Sequence, residues 1–257
     1  MKRMEGVAVG LVREVDARLG RVKVTFPWMD PPQASYWAPI ASLLSGRRRG
    51  ARFMPELDDE ALIAFDRGEF DHPYVVGFLW NGADEAPDDV TTNRVVVTPG
   101  GHELRFEDRD GDRRVVVRTA GGHTLTLDDK AQSVTLESNR GHELEILDQQ
   151  GRLTLATSSG GKVTLDDMPG RAVVEASQNR ITLEPAGITI DAVAGALNIN
   201  AAASVAIQAQ GALNLTATGI LNVTAPMATF SGVVQATTVI ATSVISSSYS
   251  PGAGNLL

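Results

Sequence analysis

The sequence predicts an all-β protein in which a small N-terminal barrel precedes an intertwined trimeric β-helix or β-prism needle. Three observations predict it. Aromatic residues are 5% of the 257-residue chain, and most of them precede residue 81. A repeat of about 20 residues occupies the middle of the chain. A shorter beat of about eight residues then fills a C-terminal stretch almost without charge.

The barrel is expected over residues 1–83. Large aromatics anchor compact cores, so their concentration here marks this zone as globular. Gly6-Val7-Ala8-Val9-Gly10-Leu11-Val12 and Arg21-Val22-Lys23-Val24-Thr25-Phe26 alternate in the manner of half-buried strands. Tyr36-Trp37-Ala38-Pro39-Ile40, Ala61-Leu62-Ile63-Ala64-Phe65 and the stretch from Pro73 to Trp80 come next, separated by Gly, Pro and Asp turns. Short strands with such punctuation read as a small barrel. Residues 84–92 form a Pro- and Asp-containing linker.

Residues 93–185 are expected to be a shaft of repeated strand, acidic turn and strand. The units are aligned on Gly101-His102-Glu103-Leu104, Gly122-His123-Thr124-Leu125, Gly141-His142-Glu143-Leu144, Gly161-Lys162-Val163-Thr164 and Asn179-Arg180-Ile181-Thr182. From His102, the steps to His123, His142, Lys162 and Arg180 are 21, 19, 20 and 18 residues. Residues 186–230 tighten to the octad, with strand centres at Ile188-Thr189-Ile190, Leu197-Asn198-Ile199, Val205-Ala206-Ile207, Leu213-Asn214-Leu215, Leu221-Asn222-Val223 and Ala228-Thr229-Phe230. Residues 231–257 form the apex and tail.

An octad cannot bury much within one chain. A strand of three or four residues offers about two inward side chains, while ordering the backbone costs about 1–2 kcal/mol per residue. Three copies wound about one axis resolve this by joining their Leu, Ile and Val side chains and pairing every strand edge. A single-chain β-solenoid is the alternative.

Composition narrows the function. The net charge is −8, and Asp191 is the sole charged residue from 186 to 257. That distribution fits neither a nucleic-acid surface nor a disordered polyelectrolyte. The absence of cysteine removes disulfides and thiolate metal sites. Met1-Lys2-Arg3-Met4-Glu5-Gly6 has no apolar signal-peptide core, and no run of 18 apolar residues would span a bilayer as a helix. Cytoplasmic synthesis followed by assembly into a larger particle is the expected localisation.

The motifs of the first zone resemble a known family. Gly20-Arg21-Val22-Lys23-Val24-Thr25-Phe26-Pro27-Trp28 resembles the opening of the OB-fold in valine–glycine repeat (VgrG) spike proteins of type VI secretion and in phage baseplate assembly protein V. Ser35-Tyr36-Trp37-Ala38, Phe53-Met54-Pro55-Glu56, Asp59-Glu60-Ala61-Leu62-Ile63, the run from Phe65 to Pro73, Val76-Gly77-Phe78-Leu79 and Asn81-Gly82 succeed it in the family's order. The resemblance implies an OB-fold collar beneath a tail tube, a trimeric β-helical needle and a non-enzymatic spike that pierces membranes on sheath contraction. Asp58 stands where the family usually has Gly, in the turn leading into a strand. The chain starts at the OB-fold, so a separate hub protein is expected. The last histidine is His142, so the His-x-His iron apex of some phage spikes is not expected. A PAAR-type tip protein would take its place, with effector cargo and a transient membrane contact as further partners.

No catalytic, cofactor or metal residues are assigned. Four histidines and no cysteine assemble no triad or metal cluster of recognisable spacing. His102, His123 and His142 recur in phase, which permits a metal ring in a trimer. The replacement of that slot by Lys162 and Arg180 argues instead for outward-facing, solvated positions. Asp108-Arg109-Asp110-Gly111-Asp112 reads as a polar hairpin turn, because its Gly falls too early for a calcium loop. Gly160-Gly161-Lys162-Val163-Thr164 lacks the ending of a phosphate loop. Arg47, Arg48, Arg49 and Arg52 form a basic run that Asp58-Asp59-Glu60 would neutralise, favouring a hub or protomer contact over single-stranded nucleic acid. A trimeric tail fibre and an OB-fold nucleic-acid-binding protein are the competing functions.

Overall fold

The computed structural model describes residues 3–193 and 195–248. Two compact units divide after Leu197.

The first unit opens with the barrel. Its strands are β1 (Val7–Asp16), β2 (Arg21–Phe26), β3 (Gln33–Ala34), β4 (Ala38–Pro39), β5 (Ser45–Gly46), β6 (Arg49–Gly50), β7 (Glu60–Phe65) and β8 (Pro73–Phe78). The sheet order is β3-β2-β1-β7-β8, with β4 also paired to β2. Ile40, just past β4, makes a parallel bridge to Val75 in β8, and Ala41 N–H donates to the Val75 carbonyl at 2.8 Å. That contact joins the two ends of the sheet and closes the barrel. The strict alternation in β2 and β7 turns Val22, Val24, Phe26, Ala61, Ile63 and Phe65 inward, and with Val12 and Val75 they fill the interior. Gly10 is required where β1 passes β2, since a Cβ there would stand 2.8 Å from Val24 Cγ2.

Asp58 adopts the left-handed conformation, with φ 73°, that the resemblance assigned to glycine. Asp tolerates this region better than most residues. Its N–H donates to the Val12 carbonyl at 2.9 Å, and its carboxylate pairs with Arg13. The turn therefore forms without its glycine.

The shaft strands are β9 (Asn93–Val97), β10 (Glu103–Arg109), β11 (Asp112–Arg118), β12 (Thr124–Asp128), β13 (Ser133–Glu137), β14 (Glu143–Leu147), β15 (Arg152–Ala156), β16 (Lys162–Asp166), β17 (Arg171–Ala176), β18 (Asn179–Glu184) and β19 (Gly187–Ala192). They form one eleven-stranded antiparallel meander in which every strand pairs with its sequence neighbours. The linker is fastened to it: Asp88 accepts from Arg105 Nη1 at 2.7 Å and from Asn93 Nδ2 at 3.0 Å.

Two sequence expectations are corrected here. Ile188-Thr189-Ile190, read as the first octad strand, lies in β19 and pairs with β18, Ile190 opposite Ile181. An apolar residue at i and i+2 suits both periods, and only the hydrogen-bonding partner separates them. The repeat alignment also slips by one residue after His142. Leu104, Leu125, Leu144, Val163 and Ile181 are the equivalent positions by register, so Gly161 and Asn179 occupy the histidine slot. Lys162 and Arg180 belong one residue further along, on the opposite face.

In the second unit, residues 198–248 form no helix or strand within the chain, and every described residue is exposed.

Candidate assembly surface

Residues directly opposite one another in neighbouring antiparallel strands share a face. Tracing register across the meander therefore assigns each side chain to one of two surfaces. One row runs Val96, Leu104, Val117, Leu125, Leu136, Leu144, Leu155, Val163, Val174, Ile181 and Ile190. Two residues along each strand, and on the same face, a second row runs Phe106, Val115, Leu127, Val134, Ile146, Leu153, Leu165, Ala172, Leu183 and Ile188, with Arg94 at its β9 end. Valine, leucine and isoleucine thus form two nearly unbroken lines across the whole sheet.

The opposite face carries Arg105, Val116, Thr126, Thr135, Glu145, Thr154, Thr164, Val173 and Thr182 along its midline. It is flanked by charged side chains that pair across strands. Arg114 Nε lies 2.9 Å from Asp128, Arg152 Nε 2.6 Å and Arg171 Nη2 3.1 Å from Asp166, and Arg180 pairs with Glu175. The hydrogen bond from Arg152, helped by Arg171, holds the Asp166 carboxyl below the usual carboxylate range. A hydrogen bond from Arg114 does the same for Asp112.

Burial tracks this division in an inverted sense. On the polar face the long charged side chains cover the midline, leaving Val116 7% and Thr154 5% exposed. On the apolar face Leu136, Leu155 and Leu165 are 48%, 45% and 46% exposed. A shallow apolar groove there is lined by Leu136, Leu144, Leu155, Val163 and Val174. Burying one such side chain contributes about 1.5–3 kcal/mol. A contiguous apolar surface of this extent marks an interaction site rather than scattered exposure.

The same contrast holds in the second unit. Ile199, Ile207, Leu215, Val223 and Phe230 all stand exposed, and no strand within the described part of that unit satisfies their backbone groups.

The other candidate residues occupy separate places in the fold. His102, His123 and His142 precede Glu103, Thr124 and Glu143 and so lie on the apolar face at its turn edge, rather than facing out among the charged groups. Each Nδ1 accepts a backbone N–H from a neighbouring turn: Ala120 at 3.3 Å, Asn139 at 3.4 Å and Ser158 at 3.3 Å. His72 lies in the barrel, 3.2 Å from Glu69. Asp108 to Asp112 form a tight hairpin with Arg109 opposite Asp112 and Gly111 at φ 71°. Gly160-Gly161 turns β15 into β16, with Gly161 N–H donating to Thr157 Oγ1 at 2.9 Å. Arg47 and Arg48 form the tip of the β5–β6 hairpin. The expected neutralisation does not occur: Asp58 pairs with Arg13, Asp59 accepts the Glu56 N–H at 2.9 Å, and Arg52 donates to the Ala17 carbonyl at 3.1 Å. Among the described residues no cluster of three His, Asp or Glu is placed to hold a metal. No helix among the described residues is long and apolar enough to cross a membrane.

Residues 8–80 match the family model of the type VI secretion system and phage-baseplate injector OB domain. The chain is 37% identical over 111 residues to type VI secretion system spike protein VgrG5 of Pseudomonas aeruginosa, covering 38% of this chain and 14% of that protein. It is 32% identical over 113 residues to spike protein VgrG4b of the same organism, covering 39% and 14%. It is 30% identical over 110 residues to spike protein VgrG3 of Vibrio cholerae, covering 38% and 11%. The chain thus spans about one seventh or less of the length of these relatives. It is VgrG-like, and its barrel matches the model of the injector OB domain.

Proposed function

We propose that this VgrG-like chain is one protomer of a homotrimeric, non-enzymatic spike in a contractile injection system. The apolar faces of three shafts pack against one another, residues 198–248 of three chains wind together as the needle, and sheath contraction drives the assembly through a target membrane. The observation that carries this reading is the double apolar row across eleven strands, left uncovered in a single chain. A single-layer sheet needs its apolar face covered to be stable, and identical copies supply the same pattern at every height. The exposed octad residues support the reading independently, since three short strands from three chains satisfy the backbone groups that one chain leaves open.

The barrel end docks beneath a hub or tube. The Arg47–Arg49 hairpin and the neighbouring exposed Leu43, Leu44 and Phe53 are the surface proposed for that contact. The apex end takes a PAAR-type tip protein and any effector cargo. The needle segment has no charged side chain after Asp191, which lowers the desolvation penalty of passing a lipid headgroup layer.

Light scattering on the purified protein tests the assembly. A mass near three times 27.3 kDa is expected. A monomer would overturn the spike reading and require the second and first units to be stable alone.

A further inference from the structure

The geometry points to a specific corner contact between protomers: the histidine edge of one apolar face, His102, His123 and His142, meets the aspartate edge of the next, Asp108, Asp129, Asp148 and Asp167. This inference rests on the trimeric reading above and adds to it which edge meets which.

The two columns lie on one face at opposite ends of the same strands. His102, Leu104, Phe106 and Asp108 alternate along β10, and so share a side of the sheet. His123 to Asp129 along β12 and His142 to Asp148 along β14 repeat the pattern. Main-chain bonds fix each aspartate in the ladder: the N–H groups of Asp129, Asp148 and Asp167 donate to the carbonyls of Arg113, Gln132 and Gly151 at 3.1, 3.0 and 2.8 Å. In the same way Thr98, Thr119 and Ser138 donate to the carbonyls of the three histidines. The backbone therefore holds both columns in place.

Chemistry makes the edges complementary. Each histidine Nδ1 accepts a backbone N–H, so Nε2 carries the proton and is left as a donor. The four aspartates are acceptors, exposed, and without an ion pair among the described residues. The contrast with their immediate neighbours is informative. Asp112, Asp128 and Asp166 project from the other face, and each is ion-paired to arginine within the chain. Arg113, opposite Asp108 in the ladder, is the one cation in the acidic column, and it leans to Asp110 at 3.4 Å.

Symmetry supplies the remaining step. Three sheets that turn their apolar faces inward meet at three corners. Rotation by a three-fold axis forbids like edges from meeting, because a cyclic interface joins unlike patches. The turn edge of one sheet must then abut the opposite edge of its neighbour. A donor column facing an acceptor column also favours parallel shafts, because turning one shaft end over end would exchange its edges and bring like columns together.

The absence of cysteine gives a clean test. Three variants each combine His123→Cys with Asp108→Cys, Asp129→Cys or Asp148→Cys, which samples the level pairing and a shift of one hairpin either way. Within one chain His123 and Asp129 are separated by a whole strand, about 20 Å at the usual rise, far beyond disulfide reach. Mild oxidation of the assembled protein should convert one of the three variants to a reducible covalent trimer on a denaturing gel. His123→Cys alone should give no cross-link. A native mass of three chains with no covalent trimer in any register would overturn the corner contact and leave the spike reading standing. Covalent dimers from His123→Cys alone would also overturn it, since like edges would then be touching. A monomeric mass before oxidation would remove the premise itself.

Discussion

The barrel and the shaft are built from the same kind of strand, yet they handle their apolar residues in opposite ways. In the barrel, Phe26, Ile63, Val12, Val22, Val24 and Val75 are all fully buried, because the Ile40–Val75 bridge closes the sheet on itself. In the shaft, each strand adds only to its neighbours, the sheet stays open, and an apolar face of two rows remains uncovered. A closed sheet makes its own inside. An open meander of one layer has no inside until another surface provides one. The closed core therefore ends at the linker, and beyond it the shaft's apolar face lies uncovered within the single chain.

The largest effect should come from breaking that dependence. Leu144→Asp places a charge at the centre of the first apolar row, and thus three charges in the assembled shaft. Burying an unpaired charge is prohibitive, so the trimer should be lost altogether in light scattering. Trp28, Trp37 and Trp80 all belong to the barrel region, so tryptophan emission should stay native. Loss of both signals would mean the two regions fold as one.

The converse change is Phe26→Ala. Phe26 packs against Phe65 and Phe70 with ring centroids at 6.0 and 5.7 Å. Removing such a side chain costs about 3–5 kcal/mol. The expected outcome is a lower-temperature tryptophan transition with the shaft's oligomeric mass unchanged.

A smaller effect is expected on the polar face. Asp166→Asn removes the charge shared by Arg152 and Arg171, and should lower the melting temperature of the shaft at neutral pH. Because its folded pKa is depressed by Arg152, the wild-type advantage is complete above the ordinary carboxylate pKa. It should fade as pH falls through the lowered folded value, where variant and wild type converge. A difference that grows on acidification would contradict the assignment.

The smallest effect is at the barrel turn. Asp58→Gly relieves the left-handed conformation but gives up an exposed ion pair with Arg13, worth about 0–1 kcal/mol. The two terms oppose, and the barrel melting point should move by no more than a few degrees.

Much of this architecture was legible residue by residue. Period-2 alternation located β2, β7 and the paired shaft strands, and the aromatic cluster located the closed core. The short strands β3, β5 and β6 were not legible, because two-residue ladders leave no periodicity, whereas β4 lies within the Tyr36–Ile40 segment. Nor was the slot of Lys162: the Gly-x pattern aligns it with His142, whereas cross-strand register assigns Gly161 there. The true face of the histidines was hidden by that single slip, since one residue reverses the side of a strand. Ile188-Thr189-Ile190 failed for a related reason, its pattern fitting the octad as well as the meander.

The strands, the turns between them and the alternation that gives each strand one apolar side follow from local sequence. These are local properties, set by neighbours two residues apart. Which strands pair, where the antiparallel meander stops, and that all the apolar sides fall on one face are settled by tertiary pairing. Register is a relation between distant segments, and a pattern of period two cannot state its own phase relative to another strand. The barrel's closure and the shaft's openness are decided at that level, and so is the uncovered face on which the proposed assembly rests.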